Sequence, residues 1–400
     1  MRRVLTAAAV GLALVGRAPA QQPPPAPAAA DTTSPDSSFR AAGPVLRWNV
    51  VARELIGRAL AARQGTPTRP TFYDGNNNTR LYALVSGAQY DALRAAPSAA
   101  EGEAAAVAAA AAVLRIVFPR EGAYLTRQVE AERRRLARGG LSPTQLRAGA
   151  RVGNHAAGRW SADAAAELRA RPWAGRVPAG PGRWRGEGGA PGLAISLGLR
   201  PWFLAGPDQF RPPPPPASGS AELTRALDQV RVATAQRTRV QTRATWAWAR
   251  NAATLWSEIA GAVVLRRRMS EREAARALMY LNMTLSDATI ACWDAKMTYW
   301  LARPTELDST LDLSVPLPDF PSYPSAHATL FAAGAAVLGH LVPAEQATLD
   351  SLAAEATASR LWAGVHYPFD NEAGVRLGRQ VAEAAIAVVD AEGVAHPEGR

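Results

Sequence analysis

Between Ser270 and Pro304 the chain contains neither glycine nor proline, and the segment opens with Ser270-Glu271-Arg272-Glu273. A serine followed three residues later by a glutamate is a capping box: the hydroxyl serves an early backbone amide and the carboxylate reaches back to the serine's own amide. Pro304 disfavours helical backbone in the residue before it. The pattern therefore predicts one uninterrupted helix running to about Ala302. Helical periodicity recurs at 46–62, 80–95 and 104–118, through 224–265, and again over about 326–342, 344–361 and 369–390. Clean period-two alternation is nearly absent. The expected fold class is all-α, a helical bundle assembly.

The organisation follows from composition. Residues 1–20 carry Arg2 and Arg3, a short apolar run and Ala18-Pro19-Ala20, and read as a secretory signal peptide. The run is too short to span a bilayer, so no membrane span is expected after cleavage and the mature chain starts near Gln21. Residues 21–39 read as a disordered Pro/Ala-rich tether. Residues 40–220 form an N-terminal helical region ending in a Pro/Gly-rich connection that closes with five prolines at 212–216. Residues 221–395 are the C-terminal helical region expected to hold the chemistry. Trp246, Trp248 and Trp256 are expected to be core anchors.

An exported protein, periplasmic or extracellular, could use disulfides, but Cys292 is the only cysteine, so stability must come from a packed core. The formal charge of +11 becomes +8 once Arg2, Arg3 and Arg17 leave with the signal peptide. Such an excess attracts anions without the concentrated basic patch that nucleic acid demands. The arginine triplets at 133–135 and 266–268 read as solvated helix faces. Of the 45 basic residues, 44 are arginine and one, Lys296, is lysine. An arginine coding bias accounts for the first number but not for the survivor.

That lysine opens the first of three segments. In Lys296-Met-Thr-Tyr-Trp-Leu-Ala-Arg303-Pro304, seven residues are almost two helical turns, so both cations are expected on one helix face. Two such cations repel unless an anion lies between them. In Phe320-Pro-Ser-Tyr-Pro-Ser325-Ala326-His327, Ser325 is a candidate N-cap. The Ala326 amide can then point at an anion, with His327 beside it to carry a proton. In Ser359-Arg360-Leu-Trp-Ala-Gly-Val-His366-Tyr-Pro-Phe-Asp370, His366 sits on a bend, and Asp370 can fix its tautomer. Three cations, a hydroxyl, helix-start amides, two histidines and an orienting acid suit a tetrahedral or trigonal-bipyramidal oxyanion with one nitrogen in line. His155, His340 and His396 have no such company and are not assigned to the site.

Lys-x6-Arg-Pro, Pro-Ser-x-His and Ser-Arg-x5-His-x3-Asp together resemble the signature of one superfamily. It contains type 2 phosphatidic acid phosphatases, bacterial class A acid phosphatases and vanadium haloperoxidases. Residues 281–296 and 359–374 resemble bacterial vanadium-dependent haloperoxidase-like proteins in particular. The resemblance implies that Lys296, Arg303, Ser325, Ala326 and Arg360 bind vanadate oxygens. His366 is then the apical ligand to vanadium and His327 the acid–base residue. It also implies that Lys296 polarises bound peroxide and that hydrogen peroxide and halide give hypohalous acid. The alternative is an acid phosphatase without vanadate, acting on a phosphomonoester. There His366 attacks phosphorus, Asp370 orients it and His327 protonates the leaving oxygen. Trp293 and Phe320 resemble residues beside the halide site of chloroperoxidase-type members, although ordinary core packing also accounts for them. A third reading is a non-catalytic phosphate-binding helical protein. One departure stands out: the family usually has glycine where this chain has Ala326. The amide survives, but a β-carbon forbids some backbone conformations and crowds close approach.

Overall fold

Helix starts are set by side chains at the offsets that capping needs. Ser142 with Gln145, Thr238 with Gln241 and Ser270 with Glu273 form reciprocal capping boxes, and Ser98, Ser220, Asn251 and Ser325 cap singly. Each satisfies an amide that has no intrahelical partner. This computed structural model describes residues 35–62, 78–169, 174–186, 191, 196 and 198–395. Among them every regular element is a helix, and the only strand-like feature is an isolated bridge between Arg183 and Leu301. The expected signal peptide lies outside the described residues.

The N-terminal helices are α1 (Pro35–Ala41), α2 (Pro44–Ala61), α3 (Asn78–Ala95), α4 (Ala99–Val117), α5 (Gly122–Arg138), α6 (Pro143–Ala156) and α7 (Gly158–Glu167). After the irregular connection come α8 (Ala221–Ala235), α9 (Arg239–Trp248), α10 (Ala252–Arg266), α11 (Glu271–Tyr299) and α12 (Pro304–Leu307). The chain finishes with α13 (Ala326–Leu341), α14 (Gln346–Trp362) and α15 (Pro368–Ala395). The helix α1 lies partly inside the expected tether, and its Phe39 is buried against the core.

The helix α11 is the axis. It is buried along nearly its whole length, with α3 on one side and α13 on another. Leu81, Leu84, Trp256, Leu281, Phe331 and Leu377 belong to one apolar cluster, so the core runs from the N-terminal to the C-terminal helices. Each fully buried side chain of this size contributes about 1.5–3 kcal/mol. The helices α13 and α15 pack closely because Gly374 faces the Ser325 carbonyl, where a β-carbon would stand 2.6 Å from the oxygen. That approach brings the start of α13 beside the first turn of α15.

Two expectations about side chains change. Trp248 and Trp256 are core residues, but Trp246 is 57% exposed because it lies on the outer side of α9. Arg266 and Arg267, although solvated, also close on the buried Glu345 at 2.6 and 2.5 Å. Among the described residues no helix is long and apolar enough to cross a membrane.

Candidate oxyanion site

The helix α11 delivers Lys296 fully buried, with Nζ donating to the carbonyls of Pro321 (2.7 Å) and Ser322 (2.9 Å). One turn later the helix ends, earlier than expected. Trp300 adopts a left-handed conformation (φ 51°) and donates its N–H to the Lys296 carbonyl. Arg303 therefore does not share a helix face with Lys296. It lies beyond the turn as the N-cap of α12 and reaches the site from a separate backbone path. The proline that was expected to end α11 instead starts α12.

Arg303 is fully buried and richly bonded on one side only. Its Nε donates to the Phe320 carbonyl (2.9 Å), and Nη1 donates to the Val365 carbonyl (2.7 Å) and lies 3.0 Å from His366 Nε2. Its Nη2 has no hydrogen-bond partner. Arg360, near the end of α14, is buried with Nε and Nη1 likewise unpartnered. Burial, and then the charge of Arg303, push the Arg360 guanidinium down to about 9. Burial pushes Arg303 down to about 10, and burial is also the main cause lowering Lys296.

Ser325 caps α13: its Oγ accepts from the Ala328 amide (3.4 Å), while its own N–H donates to the Asp370 carbonyl (2.9 Å). Ala326 follows as the first helical residue, where the backbone amide has no intrahelical acceptor. Its φ is not in the left-handed region, so the position does not require glycine's backbone freedom. His327 is partly exposed, and its Nε2 has no hydrogen-bond partner. Burial and the Arg360 charge hold this imidazole well below the ordinary histidine range.

His366 lies 2.8 Å by Nδ1 from Asp370 Oδ2. A carboxylate acceptor there assigns the proton to Nδ1 and leaves the Nε2 lone pair turned toward Arg303. The same Asp370 oxygen accepts from Ser322 Oγ (2.5 Å) and from the Tyr367 amide (3.1 Å). Burial raises the Asp370 carboxyl, and these donors work against that rise. Burial, then Arg303, Lys296 and Arg360, drive the His366 imidazole well below its usual range, which keeps it neutral.

Trp293 and Phe320 pack with ring centroids 5.1 Å apart, and Lys296 Nζ lies 5.9 and 5.1 Å from them. The Arg303 guanidinium carbon stands 5.0 Å from the Phe320 ring. The aromatic pair thus forms a wall against two of the three cations. His155 is exposed and remote from this constellation, His340 pairs with Asp390 (2.8 Å), and His396 lies outside the described residues. Cys292 is buried and free, with its sulfur 3.8 Å from the Pro324 carbonyl.

Sequence reasoning missed Ser322 and Trp300. Ser322 stands inside a segment already singled out, but nothing local shows its hydroxyl meeting a carboxylate 48 residues away. No local signal marks Trp300 as left-handed either.

The donor set has the chemistry to receive an oxyanion. Buried guanidinium N–H groups of Arg303 and Arg360 and the His327 Nε2 lack protein partners, and buried polar groups are rarely left so. Among the described residues no group of three His, Cys, Asp or Glu side chains could chelate a cation.

Residues 276–393 match a protein family described as the PAP2 superfamily. No curated protein matches the sequence. Among solved structures, a bacterial vanadium-dependent iodoperoxidase is similar at a TM-score of 0.63 and 22% identity, covering 78% of this chain and 90% of its own. A bacterial vanadium-dependent chloroperoxidase in its holo form matches at a TM-score of 0.63 and 16% identity, covering 81% and 96%. Its apo form matches at 0.63 and 17%, covering 80% and 94%. At these identities the likeness establishes a shared all-α fold.

Proposed function

With residues 276–393 matching the PAP2 superfamily, we propose that this protein is a vanadate-dependent haloperoxidase that oxidises halide with hydrogen peroxide to hypohalous acid. The observation that carries the reading is the set of unpartnered buried cationic donors around the His366 Nε2 lone pair, walled by Trp293 and Phe320. Vanadate, when bound, supplies the activation of peroxide toward halide; the protein supplies binding and charge.

Lys296, Arg303 and Arg360 would hold the oxygens of vanadate, joined by the Ser325 hydroxyl and the Ala326 amide. His366 Nε2 is the nitrogen that would be free to hold vanadate, because Asp370 keeps the proton on Nδ1. Arg303 Nη1 would then give up its contact with that lone pair while keeping the Val365 carbonyl. His327, neutral and unpartnered at Nε2, can take a proton there and return it. Trp293 and Phe320 keep water from the Lys296 side, where a less hydrated anion such as a halide fares better.

The same residues could transfer a phosphoryl group, with His366 as nucleophile. The discriminating experiment is bromination of dimedone by purified protein with peroxide and bromide in phosphate-free buffer, before and after orthovanadate. Activity that requires vanadate and declines when phosphate competes supports the proposal. Tight vanadate binding without bromination, together with hydrolysis of a phosphomonoester, replaces it with the phosphatase reading. An exported location belongs to the proposal, since peroxide and halide are then met outside the cytoplasm.

A further inference from the structure

The cation that departs from its expected helix, Arg303, starts from a strained turn, and the source of its support lies far away in the chain. Trp300 occupies the left-handed region, which costs a non-glycine residue about 1–2 kcal/mol. Such a conformation persists only where the surroundings impose it. The Gly/Pro-rich connection imposes it here. The Trp184 amide donates to the Trp300 carbonyl (2.8 Å), and the two indoles lie 6.2 Å apart. On either side, the Ala302 amide donates to the Gly182 carbonyl (2.9 Å) and the Arg183 guanidinium bonds the Tyr299 carbonyl.

Glu306 completes the connection. One carboxylate oxygen accepts from the Arg185 amide (2.7 Å), and the other accepts from the amide of Arg303 itself (2.8 Å). A single side chain thus ties residues 180–186 to the backbone from which the Arg303 guanidinium projects. Gly182 (φ +68°) and Gly186 (φ +59°) let this segment turn as it must, and a β-carbon on Gly186 would stand 2.5 Å from the Trp184 ring.

We propose that residues 180–186, outside the family-matched region, position Arg303 for oxyanion binding, with Trp184 and Glu306 as the positioning residues. This rests on the oxyanion reading of the site. Neither residue touches the anion; both fix where the guanidinium begins. The Arg303 head already bridges the Phe320 and Val365 carbonyls, so a shifted backbone must sacrifice one of those bonds or the ligand.

The test measures the Kd of inorganic phosphate and of orthovanadate by titration calorimetry on the full chain, alongside thermal stability. Trp184→Ala and Glu306→Ala are expected to weaken both anions about tenfold or more, as loss of outer orienting partners does. Trp184→Phe, which keeps a ring against Trp300, should stay within about threefold of wild type by the same argument. Val264→Ala, in the α10 core, supplies a comparable loss of stability and should leave both Kd values unchanged. Should Trp184→Ala fail to fold, Glu306→Gln carries the test, because it retains only one acceptor for two amides. Wild-type Kd values in Glu306→Gln or Trp184→Ala overturn the proposal, as does equal weakening by Val264→Ala. A wild-type protein that binds neither anion overturns the oxyanion reading itself, and this proposal with it.

Discussion

Replacing Arg360 with methionine should move stability and binding in opposite directions. The side chain is 3% exposed, with two unpartnered N–H-bearing nitrogens, and burial beside Arg303 lowers its pKa from 12.5 to about 9. At about 1.4 kcal/mol per unit, such a shift corresponds to an unfavourable charge burial on the order of 5 kcal/mol, an upper bound. Methionine keeps an apolar stem of similar length without the charge, and exchanging buried charged groups for apolar residues of similar volume is often neutral or stabilising by about 1–4 kcal/mol. Without anion, Arg360→Met should therefore melt above wild type by about 2–6 °C. With phosphate it should lose about 1.5–3 kcal/mol of binding, roughly 10- to 150-fold in Kd. Phosphate at about a hundred times the wild-type Kd stabilises wild type by about 2.7 kcal/mol and the variant much less, so the stability ranking should narrow or invert. Scanning calorimetry in phosphate-free buffer, repeated with phosphate, reads both effects. A variant that is less stable without anion, or that binds phosphate as wild type does, refutes the idea that Arg360 is held without partners for an anion.

Two further predictions follow from the same geometry and a third from the N-terminal sequence. Ser322→Ala removes one of three donors on Asp370 Oδ2 and should cost about 1–3 kcal/mol in stability, read by denaturant titration, whereas Ser322→Thr should recover most of it. His327 has a depressed folded pKa, so the unfolded chain binds more protons below about pH 6.5 and stability falls as pH falls through that window. His327→Asn should remove up to about 1.4 kcal/mol per pH unit of that slope between about pH 6 and 4.5, and an unchanged slope would show the imidazole titrating normally. Mass spectrometry of the protein recovered from an exporting host should find Gln21 at the N-terminus; a retained Met1 would remove the basis for export.

Much of the site was legible because its pieces announce themselves locally. The Ser325 cap is written in the residues around α13, and Asp370 four residues after His366 can meet it within one turn. The long α11 was legible from its capping box and its lack of breakers, yet its true end was not. Trp300 turns left-handed because Trp184, more than a hundred residues earlier, holds it, and no local pattern encodes that. Trp246 failed for the opposite reason. Apolar character predicts burial only on average, and a short helix has an outer face that something must occupy. The start of α1 was hidden because a proline- and serine-rich segment reads as tether until Phe39 finds a core to enter.

The sole lysine has a practical meaning beyond anion binding. Among the lysine and arginine side chains every other one is a guanidinium, and Lys296 is fully buried. The folded surface therefore offers amine-reactive reagents no side-chain target at all. Succinimidyl esters will mark the α-amine alone while the protein stays closed. Any acyl group found on Lys296 is then a record of how often, and for how long, the innermost helix turn of the site came into contact with solvent.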